Sequence, residues 1–117
     1  MTLSEFDIAN LDEVNNLFLA AVEEDAEIPV YRCSPAATAE TAFLLSRAGY
    51  RCYCPYFYAP VRRNRHSKKR VNMPFLYFSG YLFIIGKSPK EQFPNRVSRL
   101  RFADQFATIA LSDLAEF

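Results

Sequence analysis

The chain has 117 residues, of which 50% are hydrophobic and 23% are charged, and its formal net charge is +1. A chain of this length and composition can bury a core and fold as one globular domain. No apolar run approaches the ~18 residues that a transmembrane helix needs, and the acidic N-terminus lacks the basic and apolar regions of a signal peptide. These features predict a cytoplasmic protein.

The charges are distributed unevenly along the chain. Residues 1–29 contain eight acidic residues and no Lys or Arg, whereas the remainder contains all fourteen basic residues and only five acidic ones. A basic excess of this size attracts nucleic acid electrostatically. We therefore predict an acidic helical extension over residues 1–28 and a basic domain over residues 29–117.

The extension contains the pattern of one amphipathic helix. Apolar residues recur at helical spacing between Leu11 and Val22, and Asn10 and Glu13 have the spacing of a capping box. The pattern predicts a helix of about 14 residues that begins at Asn10 and has an acidic polar face.

Two strands and a second helix are predicted next. Residues 30–33 have the composition of a short strand, and Ser34 is a suitable N-cap for a helix that Gly49 would end. Residues 50–58 are rich in Tyr, Phe and Cys, as in a strand, and Pro55 marks an edge or a bulge in it.

The second half of the chain alternates strands with shorter elements. Residues 60–72 have no apolar periodicity, which predicts an exposed loop or hairpin tip, and residues 76–85 predict the strongest strand. A short helix at 90–99, a strand at 102–109 and a terminal helical turn at 112–117 follow. The order, one helix and then βαββαβα, predicts an α+β sandwich with helices on a largely antiparallel sheet.

Six basic side chains are concentrated between residues 62 and 70. Sequence-independent contacts with phosphates are the functional interpretation of such a stretch, and a solvated charged loop is the alternative. The six residues are Arg62, Arg63, Arg65, Lys68, Lys69 and Arg70.

An aromatic stretch follows the basic one. Phe78, Tyr81 and Phe83 are either core residues or anchors for a protein partner, and Phe83 is the one expected in the core. Strict alternation along a strand would place Phe78 and Tyr81 on opposite faces, unless a bulge at Gly80 breaks it.

Catalytic and metal-binding patterns are weak. Cys33, Cys52 and Cys54 are expected to be buried thiols, although together with His66 they are the residue types of a Cys3His zinc site. One histidine and no Gly-rich phosphate loop predict a protein that is not an enzyme and needs no cofactor.

Several segments, taken in order, resemble the N-terminal (NGN) domain of the NusG/RfaH family of transcription factors. They are an aromatic first strand, a helix with a Glu, a strand that ends in Pro, the basic stretch, and a Phe-x-Gly-Tyr strand. In this sequence they read Pro29-Val30-Tyr31-Arg32-Cys33, Glu40, Gly49-Tyr50-Arg51-Cys52-Tyr53-Cys54-Pro55, residues 62–70 and Phe78-Ser79-Gly80-Tyr81-Leu82-Phe83.

The resemblance implies an NGN-like sandwich with a mainly antiparallel four-stranded sheet and flanking helices, to which the predicted N-terminal helix would be an extra element. It also implies a transcription elongation factor with antipausing or antitermination activity that binds the clamp helices of the largest RNA polymerase subunit. The docking residues carried over by position are Phe78, Gly80 and Tyr81, with Tyr31 as a further candidate. The basic residues would lie near upstream or non-template DNA, and the factor could displace a host NusG-type factor.

The sequence departs from the family pattern in four places. Ser79 replaces the usual Pro, and Leu76 with Tyr77 replaces the usual Pro-Leu that precedes the motif, unless a bulge shifts Pro74 into register. The helix after Ser34 lacks the His and Arg with which RfaH reads a DNA element, and no KOW domain is expected in the chain. Two alternative functions remain open: a free-standing RNA- or DNA-binding module on a ferredoxin-like sheet, and an inhibitor of polymerase initiation. The N-terminal helix is expected to pack as an extra element, to cover the docking surface or the basic stretch, or to contact polymerase.

Overall fold

A computed structural model describes residues 2–62, 64–66, 68–90 and 95–117 and shows an α+β fold with antiparallel strand pairing, as predicted. The helices are α1 (Glu5–Ala21), α2 (Thr38–Arg47) and α3 (Leu111–Leu114). The strands are β1 (Glu27–Arg32), β2 (Arg51–Tyr53), β3 (Tyr56–Arg62), β4 (Arg70–Leu76), β5 (Tyr81–Ile85), β6 (Ser98–Arg99), β7 (Arg101–Phe102), β8 (Gln105–Phe106) and β9 (Thr108–Ala110).

The main sheet is built around β1. Its strand order is β2-β5-β1-β6, and β9 pairs with β1 beside β6. Tyr31 of β1 is in register with Leu82 of β5, and Ile84 of β5 is in register with Cys52 of β2. The main sheet is thus antiparallel as expected, but it has five strands instead of the four that the resemblance implies.

Apolar side chains fill both faces of this sheet. On one face, Leu82 and Ile84 pack with Leu11 of α1 and Leu45 of α2, all of them at most 1% exposed. On the other face, Phe83 packs with a second set of buried residues that consists of Phe18, Ile28, Val30 and Leu114. Because successive strand residues point to opposite faces, the continuous apolar run of β5 serves both clusters.

Helix α1 begins earlier than predicted. Ser4, not Asn10, is its N-cap: the Ser4 hydroxyl accepts a hydrogen bond from the Asp7 N–H, and the Asp7 carboxylate accepts one from the Ser4 N–H. This capping box adds about one and a half turns ahead of the apolar pattern. Leu11, Val14 and Phe18 of α1 are buried in the two core clusters, and the predicted boundary at residue 28 lies within β1.

Helix α2 ends as predicted but starts differently. Residues 35–37 form a 3₁₀ turn after Ser34, whose side chain makes no capping hydrogen bond, and the α-helix begins at Thr38. At the other end, Gly49 has a φ of 97°, and the Tyr50 N–H donates to the Leu45 carbonyl. These are the features of a Schellman C-cap, which glycine adopts without strain.

The predicted strands at 50–58 and 76–85 are each interrupted. Residues 54–55 separate β2 from β3, and residues 77–80 separate β4 from β5. The first interruption coincides with Pro55, as its missing N–H would suggest. The second contains Gly80, whose φ of 89° is incompatible with a continuous strand.

The C-terminal region differs most from its prediction. Within the described part of 90–99 no helix is present, and Ser98 and Arg99 form a strand, whereas residues 91–94 lie outside the described residues. The single strand predicted at 102–109 is a β7–β8 hairpin followed by β9, because Ala103 and Asp104 form a tight turn with positive φ. Helix α3 matches the predicted terminal turn.

Candidate functional site

Strands β3 and β4 form a long hairpin, which we call the basic hairpin (residues 56–76). Its strands pair over seven register positions, from Tyr56 opposite Leu76 to Arg62 opposite Arg70, so its paired part is about 23 Å long. The molecule measures 48 × 31 × 29 Å, and its radius of gyration of 15.2 Å exceeds the roughly 13 Å of a compact chain of this length. The hairpin therefore acts as an extended arm.

The basic residues lie at the end of this arm. The predicted loop at 60–72 is shorter in the structure, since β3 continues to Arg62 and β4 starts at Arg70. These two arginines are exposed register partners. Like charges directly opposite each other repel, and an anion bound beside them would lower this repulsion. Arg65, Lys68 and Lys69 are exposed beyond them, and Arg63 lies outside the described residues.

The side chain of Asn15 holds the base of the basic hairpin on α1. Its amide nitrogen donates to the Cys54 carbonyl at 3.0 Å, and its amide oxygen accepts from the Cys54 N–H at 2.8 Å. The N–H and the carbonyl of Cys54, which lies between β2 and β3, therefore both have hydrogen-bond partners. The side chain from α1 thus takes the place of a strand partner.

Two further contacts connect the N-terminal region to the hairpin. The Tyr56 hydroxyl donates to the Asp12 carboxylate at 2.6 Å, and this bond, with a smaller effect of burial, raises the pKa of Tyr56 to about 12. The Leu3 N–H donates to the Pro74 carbonyl of β4 at 3.0 Å. Residues before β1 therefore contact both strands of the hairpin at its base.

The turn at Gly80 is attached to the start of α2. The buried Thr38 hydroxyl accepts from the Gly80 N–H at 2.8 Å, and its single proton is shared between the carbonyls of Ser34 and Pro35, at 3.1 and 3.0 Å. A Cβ atom at Gly80 would lie 3.2 Å from the Pro35 ring. The Phe78–Tyr81 turn is closed by the Tyr81 N–H donating to the Phe78 carbonyl.

A row of contacting aromatic rings runs from the basic hairpin to the main sheet. Consecutive ring centroids are 4.6–5.9 Å apart, within the range of favourable aromatic pairs. Tyr77 and Phe117 are 41% and 43% exposed, whereas Phe83 is buried. We call this set the aromatic row; in order it consists of Phe75, Phe57, Tyr77, Phe117, Phe78 and Phe83.

The four residues predicted to dock on a protein partner occupy different environments. Tyr31 is 3% exposed and donates its hydroxyl to Ser88, and Gly80 is buried. Phe78 is half-buried in the aromatic row, and Tyr81 is 39% exposed. The turn at Gly80 breaks the strand alternation, so Phe78 contacts Phe83 on the face to which Tyr81 also points.

The cysteines are buried as expected, fully for Cys52 and Cys54 and partly for Cys33. Burial raises the pKa of Cys52 to about 12 and raises that of Cys54 as well, so both remain neutral thiols. The Cys52 thiol donates to the Ala42 carbonyl. In the part of the chain that the structure describes, no group of His, Cys, Asp or Glu is arranged to hold a metal ion.

Two features of the site were not predicted from the sequence. The first is the aromatic row: its members Phe78 and Phe83 were singled out from the sequence, but the other four were not, and these are Phe57, Phe75, Tyr77 and Phe117. Aromatic residues two apart at 75 and 77 were the available signal. The second is the side chain of Asn15, since nothing in a helical pattern distinguishes a polar residue that contacts a distant strand.

Comparison with known proteins identifies no relative of this chain. The chain matches no model of a protein family, no curated protein and no solved structure. Among the described residues, every helix is too short or too polar to cross a membrane.

Proposed function

We propose that this chain is a NusG-like transcription factor that binds RNA polymerase together with its DNA, and that it acts in the cytoplasm by binding, without catalysis. The observation that carries the proposal is that one arm combines exposed basic residues at its end with an aromatic row at its base. Such an arrangement suits a partner that presents a protein surface beside nucleic acid.

The aromatic side supplies the protein contact. Tyr and Phe are favoured as interface anchors because they bury a large area with few rotatable bonds. Tyr81, Tyr77 and Phe117 are each about two-fifths exposed. By the resemblance described above, this surface would dock on the clamp helices of the largest polymerase subunit, with Tyr81 and Phe78 as anchors.

The basic end supplies the nucleic-acid contact. Arg62, Arg65, Lys68 and Arg70 are exposed at the far end of the arm, where they can reach phosphates of upstream or non-template DNA. Contacts of this kind are independent of base sequence. A factor held at both places would stabilise the elongating state of polymerase and suppress pausing, and it would compete with a resident NusG-type factor for the same surface.

The geometry of the main sheet disfavours a ferredoxin-like RNA-binding module. Such a module stacks bases on aromatic residues of an open sheet face. In this structure Phe83 is 4% exposed, with the ring of Phe78 5.3 Å away, and the opposite face is covered by α1 and α2.

Capture of RNA polymerase on a DNA–RNA scaffold tests the proposal. Tyr81→Ala should weaken capture about tenfold or more, as expected for an interface anchor. Phe6→Ala is the matched control, because Phe6 is 71% exposed on α1 and lies outside the aromatic row. Equal capture of the wild type and Tyr81→Ala, together with equal capture of Phe78→Leu, would contradict docking at this surface.

A transcription assay on a pausing template separates elongation from inhibition. The proposal predicts faster passage through pause sites and no loss of promoter complexes. Loss of promoter complexes with unchanged pausing would identify an initiation inhibitor instead.

A further inference from the structure

A cluster of two arginines and one phenylalanine lies on the β6–β8 segment, outside the basic hairpin and the aromatic row. The guanidinium carbons of Arg99 and Arg101 lie 4.4 and 4.7 Å from the ring centroid of Phe106. Arg101 is the register partner of Phe106, and Arg99 precedes Arg101 by two residues. Both guanidinium groups are therefore held in place by cation–π contacts with one ring.

This cluster borders a cavity of about 420 Å³ whose lining includes Tyr31, Ser88 and Val97. The Tyr31 hydroxyl donates to the Ser88 hydroxyl at 3.0 Å, which places two polar groups in the wall. Arg99 also lies over the Tyr31 ring, with its guanidinium carbon 5.9 Å from the centroid. The volume is within the range of sites that hold small ligands or single nucleotide units.

Arg99 carries an unsatisfied donor in this region. Its Nε atom is buried, and within the described residues no hydrogen-bond partner is available to it. Buried polar groups without partners are rare in native proteins, because their lost hydration is not replaced. Because this Nε is itself closed to solvent, a ligand could contact Arg99 only through the other atoms of its partly exposed side chain.

Charge indicates the sign of that ligand. Residues 86–106 contain five basic side chains and two acidic ones. Arg99 and Arg101 contact one aromatic ring, so two positive charges lie close together there, and an anion beside them would be attracted by both. Arginine also binds phosphate in bidentate geometry, which makes a phosphate group the best-fitting anion.

We infer that the cavity bounded by Arg99, Arg101, Phe106 and Tyr31 binds single-stranded nucleic acid. A phosphodiester would accept hydrogen bonds from the two arginines, and a neighbouring unpaired base would stack on Phe106, which is 50% exposed, or on a guanidinium plane. A duplex fits less well, because its bases are already stacked and its stiff backbone does not enter a recess. The inference adds a second nucleic-acid contact to the proposed function and does not depend on polymerase.

Fluorescence anisotropy of the free protein with labelled oligonucleotides tests this site. The probes are a dT and an rU 12-mer and a DNA duplex of the same length, titrated at several salt concentrations. Phe106→Leu should weaken binding of a single strand about tenfold, the size of one lost stacking contact, and leave duplex binding unchanged. Arg99→Gln and Arg101→Gln should each lower the single-strand salt slope by about 0.7.

The matched control is Phe102→Leu. Phe102 belongs to the same hairpin and is 80% exposed, but it pairs with Gln105 and points to the side opposite Phe106. The Phe102→Leu variant should bind single strands with the affinity of the wild type. Circular dichroism of each variant verifies its fold, and Arg101→Gln, an exposed position, provides a second variant in case Phe106→Leu unfolds.

Two results would overturn the inference. One is equal loss of single-strand binding in Phe106→Leu and Phe102→Leu, and the other is wild-type binding of both single strands by Phe106→Leu and Arg101→Gln. The site is supported if Phe106→Leu and Arg101→Gln bind either single strand more weakly while Phe102→Leu binds it as the wild type does. The single strand whose affinity falls more, dT or rU, identifies DNA or RNA as the ligand. Capture of RNA polymerase by Phe106→Leu is measured in parallel. Because this capture tests the proposed function and the oligonucleotide titration tests the cavity, a failure of one can be told from a failure of the other.

Discussion

The side-chain amide of Asn15 makes two hydrogen bonds with the main chain of Cys54, at 3.0 and 2.8 Å. The two residues are 39 positions apart. Their contact connects the acidic N-terminal helix to the point where the main sheet gives way to the basic hairpin. The helix is therefore part of the structure that positions the arm, in addition to covering one face of the sheet.

Asn15→Ala should lower the free energy of unfolding by about 1–3 kcal/mol, because the N–H and carbonyl of Cys54 lose their partners. Urea denaturation measures the change. Asn16→Ala is the matched control: Asn16 is the adjacent exposed residue on the same helix, and its replacement should alter stability by less than about 0.5 kcal/mol. Equal effects of the two substitutions would show that the contact contributes nothing.

Gly80→Ala should destabilise the protein more than Gly49→Ala. Both glycines have similar positive φ values, 89° and 97°, so alanine is strained at either position by about 1–2 kcal/mol. Only at Gly80 would the added Cβ meet another atom, 3.2 Å away in the Pro35 ring, whereas at Gly49 nothing lies within 4 Å. The difference between the destabilisations caused by the two substitutions measures how closely the Phe78–Tyr81 turn approaches Pro35. Equal destabilisation would contradict this close contact.

Tyr56 should titrate at unusually high pH. Its hydrogen bond to Asp12 raises its pKa from an ordinary value of 10 to about 12. Since the pKa in the folded state exceeds that in the unfolded chain, the bond stabilises the fold fully below about pH 10, and this stabilisation is lost as the pH rises to about 12.

Tyrosine NMR signals followed against pH provide the measurement. Asp12→Asn should return the pKa of Tyr56 towards its ordinary value, because the carboxylate acceptor is gone. Glu13→Gln, an exposed neighbour on α1, is the control and should leave the titration unchanged. An unaltered Tyr56 titration in Asp12→Asn would rule out the bond as the cause.

Charge removal at the end of the basic hairpin should weaken duplex DNA binding without regard to base sequence. Arg65→Gln and Lys68→Gln should each reduce the slope of log K against log salt by about 1, as expected when one phosphate contact is lost. Arg47→Gln, at an exposed position on α2, serves as the control and should leave the slope as it is. Filter binding to two duplexes of unrelated sequence, at several salt concentrations, measures both the salt slope and its independence of base sequence. A loss confined to one duplex would mean that the hairpin reads bases.

The sequence alone determined the fold class and part of the local structure. Apolar periodicity located α1 and α2, Gly49 fixed the end of α2 through its backbone freedom, and the absence of apolar periodicity near residues 62–70 identified the exposed basic end of the hairpin. These features depend on residues close together in the chain, so a pattern in the sequence is sufficient to show them.

Tertiary structure decided how the elements are divided and which side chains meet. The strand expected at 76–85 is divided at Gly80 because the buried hydroxyl of Thr38 accepts its N–H from a position 42 residues away. In the same way, the aromatic row and the Arg99–Phe106 cluster exist only because strand register brings their rings and charges together. Such contacts join residues distant in the chain, and no local preference encodes them, which is why the aromatic row and the Arg99–Phe106 cluster became visible only in the folded molecule.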